Sequence, residues 1–179
     1  KEPIKAQEDA KKNAGYQVVF SDAKKLTTDE ELLKKAAETD LSTLDSNFSG
    51  VTIADVVQAL DDNGNLLGYV ISAKTRGYAS TLNVVIGYSL DGVVQGLELL
   101  EINDSPGFGL ETNSPEFKEK FAGVKTDRFV VTKSGASADN EIDVYSSATI
   151  TTEAIVRAAN SGIGFLKAYA EGFGGAANE

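Results

Sequence analysis

Apolar positions follow two periods along this chain. From Ile53 to Ile102 they alternate as in strands; elsewhere the longer apolar stripes recur every three or four residues, as in helices. Ile53 to Leu60 and Leu66 to Ala73 are strand-like runs joined by Asp61-Asp62-Asn63-Gly64-Asn65. Asn83 to Leu90 and Val93 to Ile102 are a second such pair, joined through Asp91-Gly92. An Asx-Gly step between apolar runs is the strongest short-range hairpin signal, because glycine takes the positive φ that the turn requires. The two hairpins align at an offset of 28 residues, which brings Asn63-Gly64 onto Asp91-Gly92 and Gly68 onto Gly96. A duplicated unit and convergence on one turn chemistry explain this equally well. Asp61 to Asn65 has a superficial likeness to a calcium loop, but lacks its bidentate Glu and its correctly placed Gly.

Helices are expected on both sides of this β region. Thr28-Asp29-Glu30-Glu31 reads as a capping box, with Glu31 three residues after Thr28. The helix it opens runs to about Glu38 and carries Leu32, Leu33, Ala36 and Ala37 on one side. Ser114-Pro115-Glu116 opens another, with Ser as cap and Pro in the first turn, followed by Phe117 and Phe121 on its buried face. The longest helix spans about Thr151 to Ala170, with Ile155, Ala158, Ala159, Gly162, Phe165, Leu166 and Tyr169 as its apolar stripe. Gly162 and Gly164 are costly in mid-helix and point to close packing against a sheet. Tyr16 to Phe20 and Phe129 to Thr132 are short β-prone runs, and Asp40 to Gly50 reads as a polar loop. The expected fold is therefore α+β: antiparallel hairpins packed with helices, the longest of them C-terminal. Residues 1–15 form a polar arm, 16–170 the domain and 171–179 a Gly/Ala tail.

Composition narrows the chemistry. The net charge of −10 argues against nucleic acid, whose phosphates call for Lys and Arg. There is no Cys, His, Met or Trp. Disulfides, zinc–thiolate sites, Cys-held iron–sulfur clusters and the usual haem and copper ligands are thereby excluded. So are Ser–His–Asp and Cys–His catalysis. No metal site and no self-contained catalytic set is expected, and a redox role would need an organic cofactor. A covalent link to one would have to use a hydroxyl, an amine or a carboxylate. No apolar run approaches the length of a bilayer span. The chain opens at Lys1, so a membrane anchor ahead of it is an expectation the sequence leaves open.

The candidate site centres on Asp143-Val144-Tyr145-Ser146-Ser147-Ala148-Thr149, followed by Ile150, Thr151 and Thr152. Five hydroxyl residues crowd the approach to the longest helix: Tyr145, Ser146, Ser147, Thr149 and Thr151. A helix N-terminus offers unpaired N–H groups and a positive dipole end, which suit a phosphate. Plain capping explains the same residue types. Two Gly–aromatic loops follow the hairpins: Gly77-Tyr78, and Ser105-Pro106-Gly107-Phe108-Gly109. Glycine lets backbone approach a flat ligand, and Tyr78 and Phe108 could flank a ring.

Taken in order, these three landmarks resemble the FMN-binding domain of the G subunit of Rnf electron-transport complexes and of the C subunit of sodium-pumping NADH:quinone reductases. The resemblance covers roughly Ile53 to Tyr169. Ser105 to Gly109 is similar to the family's Glu-Thr-Pro-Gly-Leu-Gly type of loop, with Ser105 where Thr is frequent. Asp143 to Thr149 is similar to its Asp-x-x-Ser/Thr-Gly-Ala-Thr/Ser signature, with Ser147 where Gly is usual. The resemblance implies that a flavin transferase joins the FMN phosphate to Thr149, with Asp143 part of the signature it reads. Ser146, Ser147, Ala148 and the amides of Ile150, Thr151 and Thr152 would surround the phosphate. Gly77, Tyr78 and Ser105 to Gly109 would carry the ring. It further implies an extracytoplasmic electron carrier, held by one N-terminal membrane anchor, whose partners are other membrane subunits of the complex. A flavin-bearing lipoprotein or reductase module for extracellular electron transfer keeps the same cofactor in another setting. A flavin-free binding module would make Ser146 to Thr152 a simple cap.

Overall fold

The computed structural model describes residues 15–76, 81–101, 118–126, 128–132, 140–143 and 149–170. Five strands form an antiparallel meander in sequence order: β1 (Lys25–Thr28), β2 (Thr52–Leu60), β3 (Leu66–Arg76), β4 (Thr81–Ser89) and β5 (Val94–Glu101). Both expected hairpins are present, β2–β3 and β4–β5. Their turns are built alike. The Gly64 amide donates to the Asp61 carbonyl at 3.0 Å, and the Gly92 amide to the Ser89 carbonyl at 3.0 Å. The two glycines have φ of +84° and +85°, a region that side-chain-bearing residues avoid. The match extends into the strands. Val56↔Ile71, Val57↔Val70, Ala59↔Gly68 and Leu60↔Leu66 in the first hairpin become Val84↔Leu99, Val85↔Glu98, Gly87↔Gly96 and Tyr88↔Val94 in the second, each 28 residues on. Even the register shift next to the turn recurs, at Ala59/Leu60 and at Gly87/Tyr88.

One face of the sheet carries two helices, α1 (Glu30–Glu38) and α2 (Thr149–Tyr169). Their apolar sides meet Val56, Tyr69, Ile71, Ala73, Val84, Ile86, Leu97 and Leu99 in the main core. Ile155, Ala158, Ala159, Phe165 and Leu166 of α2 are fully buried, as the stripe predicts, whereas Tyr169 reaches the surface. Each fully buried large side chain contributes about 1.5–3 kcal/mol, which outweighs the roughly 1 kcal/mol that a mid-helix glycine costs. A methyl on Gly162 would stand 2.9 Å from Ile71 Cγ2, so this glycine does bring α2 close to the sheet. Gly164 instead faces the Phe48 ring, at 2.9 Å by the same measure. Helix α2 begins at Thr149, two residues earlier than its periodicity predicts.

Other expectations are corrected. Residues 15–19 are helical rather than extended. Tyr16, Val19 and Phe20 recur at helical spacing and are buried, while Val18 is 64% exposed. Their β-prone side chains suggested a strand, but burial followed the spacing. The cap of α1 is Asp29, not Thr28: its Oδ1 accepts the Leu32 amide at 3.0 Å, one residue later than the capping box requires. A carboxylate caps at least as well as a hydroxyl, and here it also accepts Gln58 Nε2 at 2.9 Å. Within α1, Leu32 and Ala36 are buried and Ala37 is exposed. The 40–50 loop contains two 3-10 turns, Leu41–Thr43 and Ser46–Phe48, capped by Asp40 and Asp45 and pinned by buried Leu41 and Phe48. The expected strand near Phe129 is β6 (Val130–Thr132), and it pairs in parallel with an unforeseen strand, β7 (Glu141–Asp143). The arm up to residue 14, the helix start at Ser114 and the tail from 171 lie outside the described residues.

The opposite sheet face is covered by residues 15–20. Tyr16, Val19, Phe20 and Ala23 pack on Val57, Ala59, Val70 and Val85 as a second core. The chain approaches so closely that a methyl on Gly87 would run into the Val19 carbonyl oxygen. Tyr16 also donates its hydroxyl to Asp55 Oδ2 at 2.8 Å, and Ser72 donates to Asn83 on the same buried face. Burial, and then the neighbouring Asp55 carboxylate, push the Tyr16 phenol far above its ordinary value of 10.0.

This second face is open to two measurements. Replacing Gly87 with Val should destabilise the fold by about 1–3 kcal/mol, the usual cost of overpacking, read as a lower urea midpoint. Above pH 10 the unfolded chain loses the Tyr16 proton while the folded chain keeps it, so stability should fall as pH rises beyond that point. Tyr16→Phe should be less stable at neutral pH, with Asp55 deprived of one of its donors, and should lose stability less steeply in alkali. An unchanged alkaline slope would show that Tyr16 is not the group responsible.

Candidate functional site

Register and helix direction place the candidate segments. Arg76 pairs with Thr81 and Asn83 with Glu101, so the end of β3, the start of β4 and the end of β5 share one pole of the sheet. Helix α2 runs antiparallel to β3, because Gly162 faces Ile71 while Arg157 Nη1 reaches Thr75 Oγ1 at 3.4 Å. Thr149 lies eight residues before Arg157, about 12 Å of helix at 1.5 Å per residue. Its position is therefore at that same pole. Strand β7 ends at Asp143, and after five intervening residues the chain enters α2. The three segments that the sequence singles out thus continue from, or return to, one end of the sheet.

Of the expected site residues, Asp143, Thr149, Ile150, Thr151 and Thr152 are described; for Thr149 to Thr151 this means their places in the helix. Gly77, Tyr78, Ser105, Pro106, Gly107, Phe108, Gly109, Ser146, Ser147 and Ala148 lie outside the described residues. Thr149 is the first residue of α2, followed directly by Ile150, Thr151 and Thr152. The two helices differ at their starts. Helix α1 carries Glu30 and Glu31 in its first turn beside the Asp29 cap, whereas α2 has no acidic residue in its first turn. Acidic side chains in α1 oppose the positive dipole end; α2 leaves its own dipole end without them. Two buried polar atoms lie on the chain before and after this start. Among the described residues Asp143 Oδ1 and Thr152 Oγ1 find no hydrogen-bond partner, and Thr152 is 0% exposed.

Further along α2, other side chains fix its neighbours. Asn160 is buried; its Oδ1 accepts the Phe129 amide at 2.7 Å and its Nδ2 donates to the Phe129 carbonyl at 2.9 Å. This clasp sets where β6 starts, and hence where β7 delivers Asp143. Phe129 also stacks edge-on with Phe121, ring centroids 4.8 Å apart. Neither Arg157 nor Asn160 stands out in the sequence pattern. The available signal was two polar residues within an apolar stretch of helix.

A cleft of about 660 Å³ lies elsewhere, lined by residues of β1, α1 and the β2–β3 hairpin together with Tyr169 at the far end of α2. There Lys35 Nζ sits 4.8 Å from the centre of the Tyr169 ring. Its size does not make it the functional centre, because it is separated from Thr149 by most of the length of α2. Among the described residues no group of His, Cys, Asp and Glu is placed to hold a metal ion. No described helix is long and apolar enough to cross a membrane.

Known proteins place these features in a wider frame. Residues 77–164 match a family described as FMN-binding domain. The ion-translocating oxidoreductase complex of Methanosarcina acetivorans has a G subunit that is 26% identical over 141 residues, covering 78% of this chain and 73% of that protein. In Acetobacterium woodii, the G subunit of the Na(+)-translocating ferredoxin:NAD(+) oxidoreductase complex is 33% identical over 104 residues, covering 56% of this chain but only 50% of its own length. Two solved structures share the fold. The C subunit of the Na(+)-translocating NADH-quinone reductase from Parabacteroides distasonis matches with a TM-score of 0.56 at 16% identity, over 93% of this chain and 96% of that one. NqrC of Shewanella oneidensis matches with a TM-score of 0.53 at 22% identity, over 64% and 58%. The matched region opens directly after β3 and closes within α2, so it takes in every candidate segment. Over residues 77–164, just under half of its length, the chain is thus similar to the FMN-binding domain family.

Proposed function

We propose that this chain is the flavin-carrying part of a G-type subunit in an ion-translocating electron-transport complex, with FMN joined to Thr149 through a phosphoester. The observation that carries this reading is the shared pole, where the ends of β3 and β5 and the start of α2 come together. The relatives named as complex subunits give the setting.

The residues fit such a group. Thr149 supplies the hydroxyl: its oxygen bonds to phosphorus as the phosphoanhydride bond of a flavin dinucleotide breaks on the transferase, and the hydroxyl proton departs with the released nucleoside monophosphate. The first-turn amides of α2 face the resulting phosphate, in a turn without competing carboxylates. Bound FMN supplies reversible electron uptake, while the protein holds and tunes the ring. Gly77, Tyr78 and Ser105 to Gly109 carry the ring in this reading, Ser146, Ser147 and Ala148 surround the phosphate, and Asp143 is part of the signature that the transferase reads. A covalent hold suits a carrier on the extracytoplasmic side, where free flavin would diffuse away. One membrane anchor ahead of Lys1 and contacts with other membrane subunits complete the assignment. The net charge of −10 favours partners with basic contact surfaces.

Coexpression with a flavin transferase should raise the intact mass by that of FMN less one water, and peptide mapping should place the addition on Thr149. Thr149→Val should keep its fold and gain no mass. Flavin that survives denaturation of that variant, or a label on another residue, would refute the assignment.

A further inference from the structure

The buried, unpartnered hydroxyl of Thr152 has a consequence for the same site, and it rests on the reading just given. A hydroxyl shut away from water without a partner costs about 1–3 kcal/mol. Thr152 is fully buried, and its Oγ1 finds no acceptor among the described residues. Residues three apart on a helix share a face, with Cβ atoms about 5–6 Å apart, so position 152 lies one turn below position 149. Helical Cα–Cβ bonds lean toward the N-terminus, which tilts the Thr152 side chain toward the turn that begins at Thr149. Asp143 Oδ1, the other unpartnered buried atom among the described residues, is a carboxylate oxygen and accepts rather than donates. The Thr152 hydroxyl is therefore a buried donor beside a helix start that attracts anions.

We infer that Thr152 is a positioning residue whose hydroxyl donates to a phosphate oxygen of the Thr149-linked flavin nucleotide. The bond exists only in the loaded protein, and the unloaded protein carries the cost of the empty donor. Val has the shape of Thr with a methyl in place of the hydroxyl. Thr152→Val should therefore act in opposite directions on the two forms.

The test is thermal unfolding of the full chain, with and without loading by a flavin transferase, for wild type, Thr152→Val and Thr152→Ser. Unloaded Thr152→Val should have a higher Tm than unloaded wild type, and loaded Thr152→Val a lower Tm than loaded wild type. Thr152→Ser, which keeps the hydroxyl, should recover most of the Tm gain that loading gives wild type. Shifts of equal sign in both forms would overturn the inference, because they would mean that the hydroxyl acts independently of the flavin. A folded Thr152→Val that takes up no flavin would also overturn it, since the hydroxyl is assigned to holding the group and not to its attachment. Wild type that takes up no flavin would remove the proposed function and this inference together. Wild type labelled at Thr149 with equal Tm shifts would remove this inference alone.

Discussion

The close seat of α2 on the sheet is the constraint that organises this molecule. Gly162 lets the helix backbone approach Ile71, and Phe165, Leu166 and Ile155 fill the space on either side. Once that contact is made, helix direction and rise determine where the first turn must stand. Thr149 reaches the pole at which β3 and β5 end because α2 is fixed about thirteen residues away. The Arg157–Thr75 contact and the Asn160–Phe129 clasp secure the same placement from two sides. The site is thus positioned by packing far from its own chemistry, which permits its immediate residues to be chosen for what they bind.

The same logic explains which parts of the fold were legible in the sequence. The hairpins were, because Gly64 and Gly92 mark turns that few other residues could make, and the alternation on either side fixes which face is buried. The stripe of α2 was, because it runs for several turns. Residues 16–20 were misread because Val18 and Val19 suggest a strand in so short a segment, although Tyr16, Val19 and Phe20 already had helical spacing. Strand β7 was missed because it is three residues long and forms only by pairing with β6, a partner the local sequence does not reveal. Asp29 displaced Thr28 as the cap through a choice of one residue between two competent caps.

At the site, the order of landmarks and the hydroxyl-rich start of α2 were legible, since they are properties of the chain itself. The absence of first-turn acids in α2 was also visible, though it gains meaning only beside α1, where Glu30 and Glu31 occupy the equivalent turn. What the sequence withheld was burial. Thr152 reads as one more hydroxyl in a polar turn until its side chain is found enclosed and without an acceptor. Asn160 likewise reads as an ordinary helix residue until its amide is found clasping Phe129.

The segment from residue 15 to 20 bears on mechanics. It is glued to the back of the sheet by Tyr16, Val19 and Phe20, on the side away from α2. Tension on the chain ahead of it is therefore taken up by shear between this segment and the middle strands. The load enters β2, β3 and β4, the middle of the sheet, on whose other face α2 is seated. A domain tugged from its leading end would feel the pull at this strap before it reached α2.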